Sequence, residues 1–149
     1  MGDRPSRRVC WGLPGGLGRL LAGLMLLAAS CHVWASPLRA EPVADNVWFV
    51  QGEAALGSPA NRNFISNAGF VVTPESVLVV DALGSPVLAQ ELIAAVRAVT
   101  SAPIRHVIVT HYHADHIYGL QVFQALGATI HAHRGALAYL NSDTAVQRL

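Results

Sequence analysis

The seven residues Thr110-His111-Tyr112-His113-Ala114-Asp115-His116 stand between a strand-like run, Ile104 to Val109, and an apolar-periodic stretch that begins near Ile117. A strand opening straight into a helix leaves little choice of architecture, because α/β sheets hold their ligands at that junction, the carboxyl end of a strand. His111 and His113 are two apart, so an extended backbone turns both imidazoles to one side. Asp115 and His116 lie at the turn into the helix, where the reversing chain aims them beside the first pair. Imidazole nitrogen and carboxylate oxygen without thiolate form a donor set suited to zinc, iron or manganese. The plainer alternative is a cluster of solvated loop histidines with Asp115 capping the helix.

The flanking sequence predicts layered α/β structure. Val47 to Val50 reads as a first strand, followed by a Gly/Pro/Asn/Ser-containing loop from Gly52 to Asn63 that is long enough to be functional. Gly69–Val72 and Val77–Val80 flank the turn Thr73-Pro74-Glu75-Ser76 and form a hairpin. Both runs are apolar throughout, which predicts cover on both faces. Ser85 is an N-cap and Pro86 a first helical residue; Leu88, Leu92, Ala95, Val96 and Val99 then recur at helical spacing. A helix over Ile117–Leu126 ended by Gly127, a strand at Thr129-Ile130 and a short helix over Gly135–Leu140 complete the order β, ββ, α, β, α, β, α.

The N-terminus is different in kind. Four of the ten Arg precede the apolar run Leu20–Ala29, and small residues follow it. These are the three parts of a secretory signal peptide, with cleavage expected after Ala35, so that residues 1–35 are leader and 36–149 the domain. The run is too short to cross a bilayer, which needs about 20 apolar residues, so no integral span is expected. Ser6-Arg7-Arg8-Val9 partly matches a twin-arginine signal, and Ala28-Ala29-Ser30-Cys31 resembles a weak lipoprotein box that would make Cys31 an anchor. Export to a bacterial periplasm is the expectation. Both cysteines lie in the leader, so the mature chain has neither a disulfide nor a thiolate ligand. Without the leader, six Arg face eight acids, about −2 in net charge, which offers no field for nucleic acid.

The run His111-x-His113-x-Asp115-His116 resembles the HxHxDH signature of the metallo-β-lactamase superfamily. The resemblance extends over roughly Val43 to Arg148, including the hairpin ending in Val79-Val80-Asp81 and the entry Gly127-Ala128-Thr129. It implies the N-terminal part of a four-layer αβ/βα sandwich, apparently truncated, with one or two metal ions at a sheet edge. On that pattern His111 and His113 ligate the first metal, and Asp115 and His116 the second. Asp81 matches an acidic residue that orients a ligand imidazole. His directly after Asp resembles the glyoxalase II and subclass B3 lactamase versions. The implied chemistry is hydrolysis of a small molecule, an ester, thioester, lactone or β-lactam, by zinc-bound hydroxide, with Asp115 orienting the water or taking its proton.

The family's third His, bridging Asp and final His lie downstream of the signature, and this sequence has no room for them. His131 and His133, two apart at a strand end, are possible substitutes, and otherwise ordinary strand-end residues. His106 reads as packed within its strand; Tyr112 and Tyr118 flank the motif as pocket-lining or packing residues. No Gly-x-Ser-x-Gly elbow and no phosphate-binding glycine loop competes. The rival class is a non-catalytic metal-binding or interaction fragment. Oligomeric state is left open.

Overall fold

The computed structural model describes residues 38–143, so the leader lies outside the described residues. Ten elements follow one another: strands β1 (Glu41–Ala44), β2 (Val47–Val50), β3 (Ala68–Val72) and β4 (Val77–Val80), helix α1 (Pro86–Val99), strand β5 (Ile104–Ile108), helices α2 (Ala114–Ile117) and α3 (Leu120–Ala125), strand β6 (Thr129–His131) and helix α4 (Ala136–Leu140). The strands form one sheet in sequence order, antiparallel from β1 to β4 and parallel from β4 through β5 to β6. The change of sense follows from the connections. Tight turns join β1 to β2 and β3 to β4 and a long loop joins β2 to β3, whereas parallel strands need crossovers, here α1 and the α2–α3 pair. Right-handed crossovers advancing the same way land on one face of the sheet, and α1 contacts α3 there.

The core lies between that face and the helices. Phe70, Val77, Val79 and Val107 of the sheet meet Leu88, Leu92 and Val96 of α1 and Phe123 of α3, all fully buried. Ser85 caps α1 as its sequence announces: its hydroxyl accepts the Leu88 N–H at 3.2 Å, with Pro86 in the first turn.

Three expectations need correction. A strand precedes Val47–Val50, paired to it across the turn Asp45-Asn46, with Asn46 at φ 61; all four residues of β1 are exposed and one is Pro42, so no apolar pattern marks it. Within this chain the helices cover one face of the sheet. In β3 and β4, Ala68, Phe70, Val77 and Val79 are buried against the helices, while Gly69, Val71, Leu78 and Val80 on the opposite face are half-buried. The strand Ile104–Val109 ends one residue early, at Ile108. The helix expected over Ile117–Leu126 starts three residues earlier and is broken into two around Tyr118-Gly119. Among the described residues no helix is long and apolar enough to cross a membrane.

At the break the Gly119 N–H donates to the Leu83 carbonyl rather than within the helix, and the close approach leaves no room for a side chain. A β-carbon at Gly119 would overlap the Ala82 carbonyl oxygen and come within 2.7 Å of the Ala89 methyl. Gly119→Ala is expected to lower stability by about 1–3 kcal/mol, the usual range for overpacking, read as a fall in the urea midpoint. An unchanged midpoint would show that the segment holding Ala82 yields freely.

Candidate metal centre

Because β4 and β5 are parallel neighbours, their carboxyl ends share one edge of the sheet. Asp81 leaves β4 and Thr110 follows β5, so residues 29 apart in sequence become adjacent. Asp81 has φ 63, which turns its side chain toward the end of β5. Its backbone N–H donates to the Ile108 carbonyl at 2.9 Å, and the next N–H, of Ala82, donates to the His116 carbonyl at 2.8 Å.

The buried Asp81 carboxylate collects three donors. Oδ1 accepts the Thr110 N–H at 2.9 Å, and Oδ2 accepts the Thr110 hydroxyl at 2.7 Å and His116 Nδ1–H at 2.8 Å. A carboxylate only accepts, which fixes two tautomers in turn. His116 has its proton on Nδ1, so Nε2 carries a free lone pair, and that nitrogen stands 3.5 Å from Asp115 Oδ2. Thr110 spends its hydroxyl proton on Asp81, so its oxygen accepts from His111 Nδ1, 3.0 Å away. His111 Nε2 is therefore also left with a lone pair. This is the carboxylate–histidine arrangement that prepares imidazole to bind a metal.

The other motif residues gather around these two rings. The His111 ring centroid lies 4.1 Å from that of His116 and 4.6 Å from that of His113. His113 is the N-cap residue of α2 but makes no side-chain cap bond, and Asp115 sits in the first helical turn rather than at the cap. A carboxylate there is favoured by the partial positive charge of the helix start. The Asp115 backbone is held from two sides: its carbonyl accepts the Ser66 hydroxyl, and Gly84 packs so closely that a β-carbon there would lie 3.2 Å from Asp115 Cα. All of the proposed ligands thus meet at one edge. No three His, Cys, Asp or Glu side chains are already drawn around one point among the described residues. The donor set nonetheless fits a zinc-like ion in its chemistry, with two imidazole nitrogens left unprotonated and a carboxylate beside that of His116.

The loop from Gly52 to Asn63 is tied down near this edge. Arg62 forks onto the buried Glu91 of α1 through two bonds of 2.6 and 3.0 Å. That hydrogen-bonded carboxylate raises the Arg62 pKa further, with burial opposing it. The two remaining histidine candidates do not join the motif. His131 faces His106, Nε2 to Nδ1 at 3.1 Å, and His133 Nδ1 accepts the Gly135 N–H at 3.1 Å. His106 is accordingly half-buried and paired rather than simply packed. Tyr112 stacks near Tyr139, ring centroids 4.3 Å apart, and both border a cavity of about 390 Å³ walled by Ile117, Leu120 and Ile130, with His111 at its margin. Tyr118 borders a separate cleft with Gly84 and Gln121. Thr110, Ser66 and Gly84 are the supporting residues that the sequence did not reveal. Only Thr110 had a local signal, its position between the strand and His111.

A family model described as the metallo-beta-lactamase superfamily matches residues 61–148. Among solved structures, the chain is similar to the metallo-beta-lactamase FIM-1 from Pseudomonas aeruginosa in its mono-zinc form, at 20% identity and a TM-score of 0.56. That match covers 70% of this chain and 46% of the other, so this chain spans less than half of its solved neighbour. No curated protein matches. The sheet with its α-helices on one face is accordingly part of the αβ/βα fold, and the chain belongs to the metallo-beta-lactamase superfamily.

Proposed function

We propose that this chain is the metal-carrying part of an exported, zinc-dependent hydrolase acting on an ester, thioester, lactone or β-lactam. The observation that carries the reading is the Asp81 carboxylate, whose donors leave Nε2 lone pairs on His111 and His116, that of His116 standing 3.5 Å from Asp115 Oδ2. Membership of a metallohydrolase superfamily supports the reaction class, and a neighbour of the same fold in mono-zinc form supports the ion. His111 and His113 would hold one zinc, with Asp115 and His116 holding a second. When bound, zinc supplies Lewis acidity and lowers the pKa of coordinated water toward about 7.

The chain's own groups do the rest. Asp81 holds His116 directly and His111 through Thr110, which fixes ring orientation as well as tautomer. Asp115, partly exposed beside His116 Nε2, is placed to orient a water or take its proton. The apolar cavity of about 390 Å³ next to His111 lies in the size range of small-molecule sites. Export rests on the basic, apolar and small-residue segments of residues 1–35; a twin-arginine route or a lipid on Cys31 are variants of it. The slightly acidic body supports a small-molecule substrate over nucleic acid.

The test is zinc content by elemental analysis and hydrolysis of a chromogenic β-lactam, a thioester, a lactone and an aryl ester. The assayed protein includes any residues its gene encodes beyond Leu149. Turnover abolished by a chelator supports the proposal, whereas stoichiometric zinc with no turnover favours the non-catalytic metal-binding alternative.

Two substitutions probe the roles. Asp115→Asn should keep zinc on His111 and His113 but lower hydrolysis by about 10² or more, the scale of positioned proton transfer; near-normal turnover would reduce Asp115 to a helix-terminus charge. Asp81→Asn keeps the shape but puts a donor among donors, and zinc affinity should fall by about 10–100-fold, measured by competition with a chromogenic chelator. Unchanged affinity would sink the tautomer argument.

A further inference from the structure

The Gly52–Asn63 loop is joined to the candidate metal centre by a path that starts on α1. Arg62 and Asn63 both lie in the left-handed region, at φ 56 and 57. Two consecutive non-glycine residues persist there only where their surroundings over-determine them. Inside the loop, the Asn63 N–H donates to the Ser58 carbonyl at 3.2 Å, and the Phe64 N–H to the Asn61 carbonyl at 2.8 Å. The Arg62 guanidinium reaches out of the loop and forks onto both carboxylate oxygens of Glu91, at 2.6 and 3.0 Å. Glu91 stands on the packed face of α1 beside Leu88 and Leu92, its side chain only 7% exposed.

The other end of the path is Asp115. The Asn63 carbonyl oxygen and the Asp115 Cα both crowd Gly84, 3.4 and 3.2 Å from where a β-carbon on that glycine would stand. Three residues after Asn63, the buried Ser66 donates its hydroxyl to the Asp115 carbonyl. The segment that the fork anchors thus meets the Asp115 backbone twice, at Ser66 directly and at Asn63 through Gly84. We propose that Arg62 and Glu91 are positioning residues for Asp115: the fork holds the left-handed pair, and the pair seats residues 63–66 against the Asp115 backbone. The consequence for metal binding rests on the reading of Asp115 as a ligand.

A stability role alone does not account for the pair. A buried carboxylate is costly unless it is paired, and apolar residues of similar volume on that face of α1 would do as well or better. What a guanidinium–carboxylate fork adds is direction, because two parallel bonds fix the plane of the Arg62 head group. Lysine would keep the charge but not the fork. Rotation of Arg62 and Asn63 out of the left-handed region would move the Asn63 carbonyl and redirect the chain entering Ser66. Strand β3 begins only at Ala68 and would stay paired with β2 and β4, so the disturbance would fall on the Asp115 backbone rather than on the sheet.

The test compares Arg62→Lys with Arg97→Ala, each in the whole gene product. Arg97 also ties α1 to its surroundings, through the Ala102 carbonyl at 2.6 Å, but in the last turn of the helix, away from the centre. In the metal-free protein, Arg62→Lys should shift the backbone amide resonances of Asp115 and His116, and Arg97→Ala should leave them in place. Titration with Zn²⁺ is followed through the ¹⁵N shifts of the imidazole rings. The ion on Asp115 and His116 should bind about 10-fold more weakly in Arg62→Lys, the lower end of what the outer partners of a ligand contribute. The ion on His111 and His113 should be unaffected. Either unmoved amides or an unchanged affinity at Asp115 in folded Arg62→Lys overturns the proposal, as do equal changes in Arg97→Ala. An unaltered chain that takes no ion at Asp115 would sink the metal reading instead, and the metal-free amide shifts still decide the positioning role. Should Arg62→Lys fail to fold, linkage supplies a check on the unaltered chain. An ion on Asp115 must in return steady the loop, so zinc should slow hydrogen exchange at the Asn63 and Phe64 amides. No slowing with zinc on Asp115 overturns the proposal.

Discussion

The Asp81 carboxylate is the interaction on which the rest of the site depends. A buried charge is tolerated only when it is paired and hydrogen-bonded, and this one is met by a backbone N–H, a hydroxyl and an imidazole. Hydrogen bonds to a charged group contribute about 1.5–3 kcal/mol each, enough to offset a backbone that is locally unfavourable. Asp81 and Leu83 both sit at positive φ, 63 and 64, and non-glycine residues there cost of order 1–3 kcal/mol each. The turn that bears this cost brings Ala82 N–H to His116 and the Leu83 carbonyl to Gly119 N–H. One unfavourable turn thereby fixes the carboxylate and the break between α2 and α3 together.

Topology makes that geometry available. In an antiparallel pair, the residues following β4 and β5 would leave from opposite edges of the sheet; parallel pairing sends both to the same edge. The parallel pair exists because α1 carries the chain back across the sheet, and α1 starts where Ser85 and Pro86 place it, its cap four residues after Asp81. Its core residues Leu88, Leu92 and Val96 press on Val77, Val79 and Val107, the same strands whose ends bear the site. Hydrophobic burial on one face of the sheet and ligand chemistry at its edge are therefore set by the same three elements.

What the sequence made legible was local. The Ser85 cap, the α1 period, the two runs around Pro74 and the density of ligand types from His111 to His116 are short-range patterns, and each reappears in the fold. What it concealed was non-local. What requires glycine at position 119 is the carbonyl of Ala82, 37 residues earlier in the numbering. The role of Thr110 depends on Asp81, and that of Ser66 on the backbone of Asp115. Runs such as Val77-Leu78-Val79-Val80 carry no polar residue to mark a face, so alternation of buried and half-buried positions is invisible until the helices are placed. Strand β1 escaped notice for the opposite reason: it is exposed at every position.

The site is uneven in its rigidity, and that bears on how an ion would enter. His111 and His116 have ring nitrogens fixed by Thr110 and Asp81, and the Asp115 backbone is clamped by Ser66 and Gly84. The clamp is itself braced, since the loop leading to Ser66 is joined to α1 by the Arg62–Glu91 fork. By contrast, His113 makes no cap bond and its ring is exposed, and the Asp115 carboxylate is only partly covered. On the proposed reading, the supported rings supply orientation, while His113 and the Asp115 carboxylate adjust by side-chain rotation. The residues that carry the two supported rings are thereby the ones whose orientation is set before any ion arrives, which is what a supported ligand shell provides.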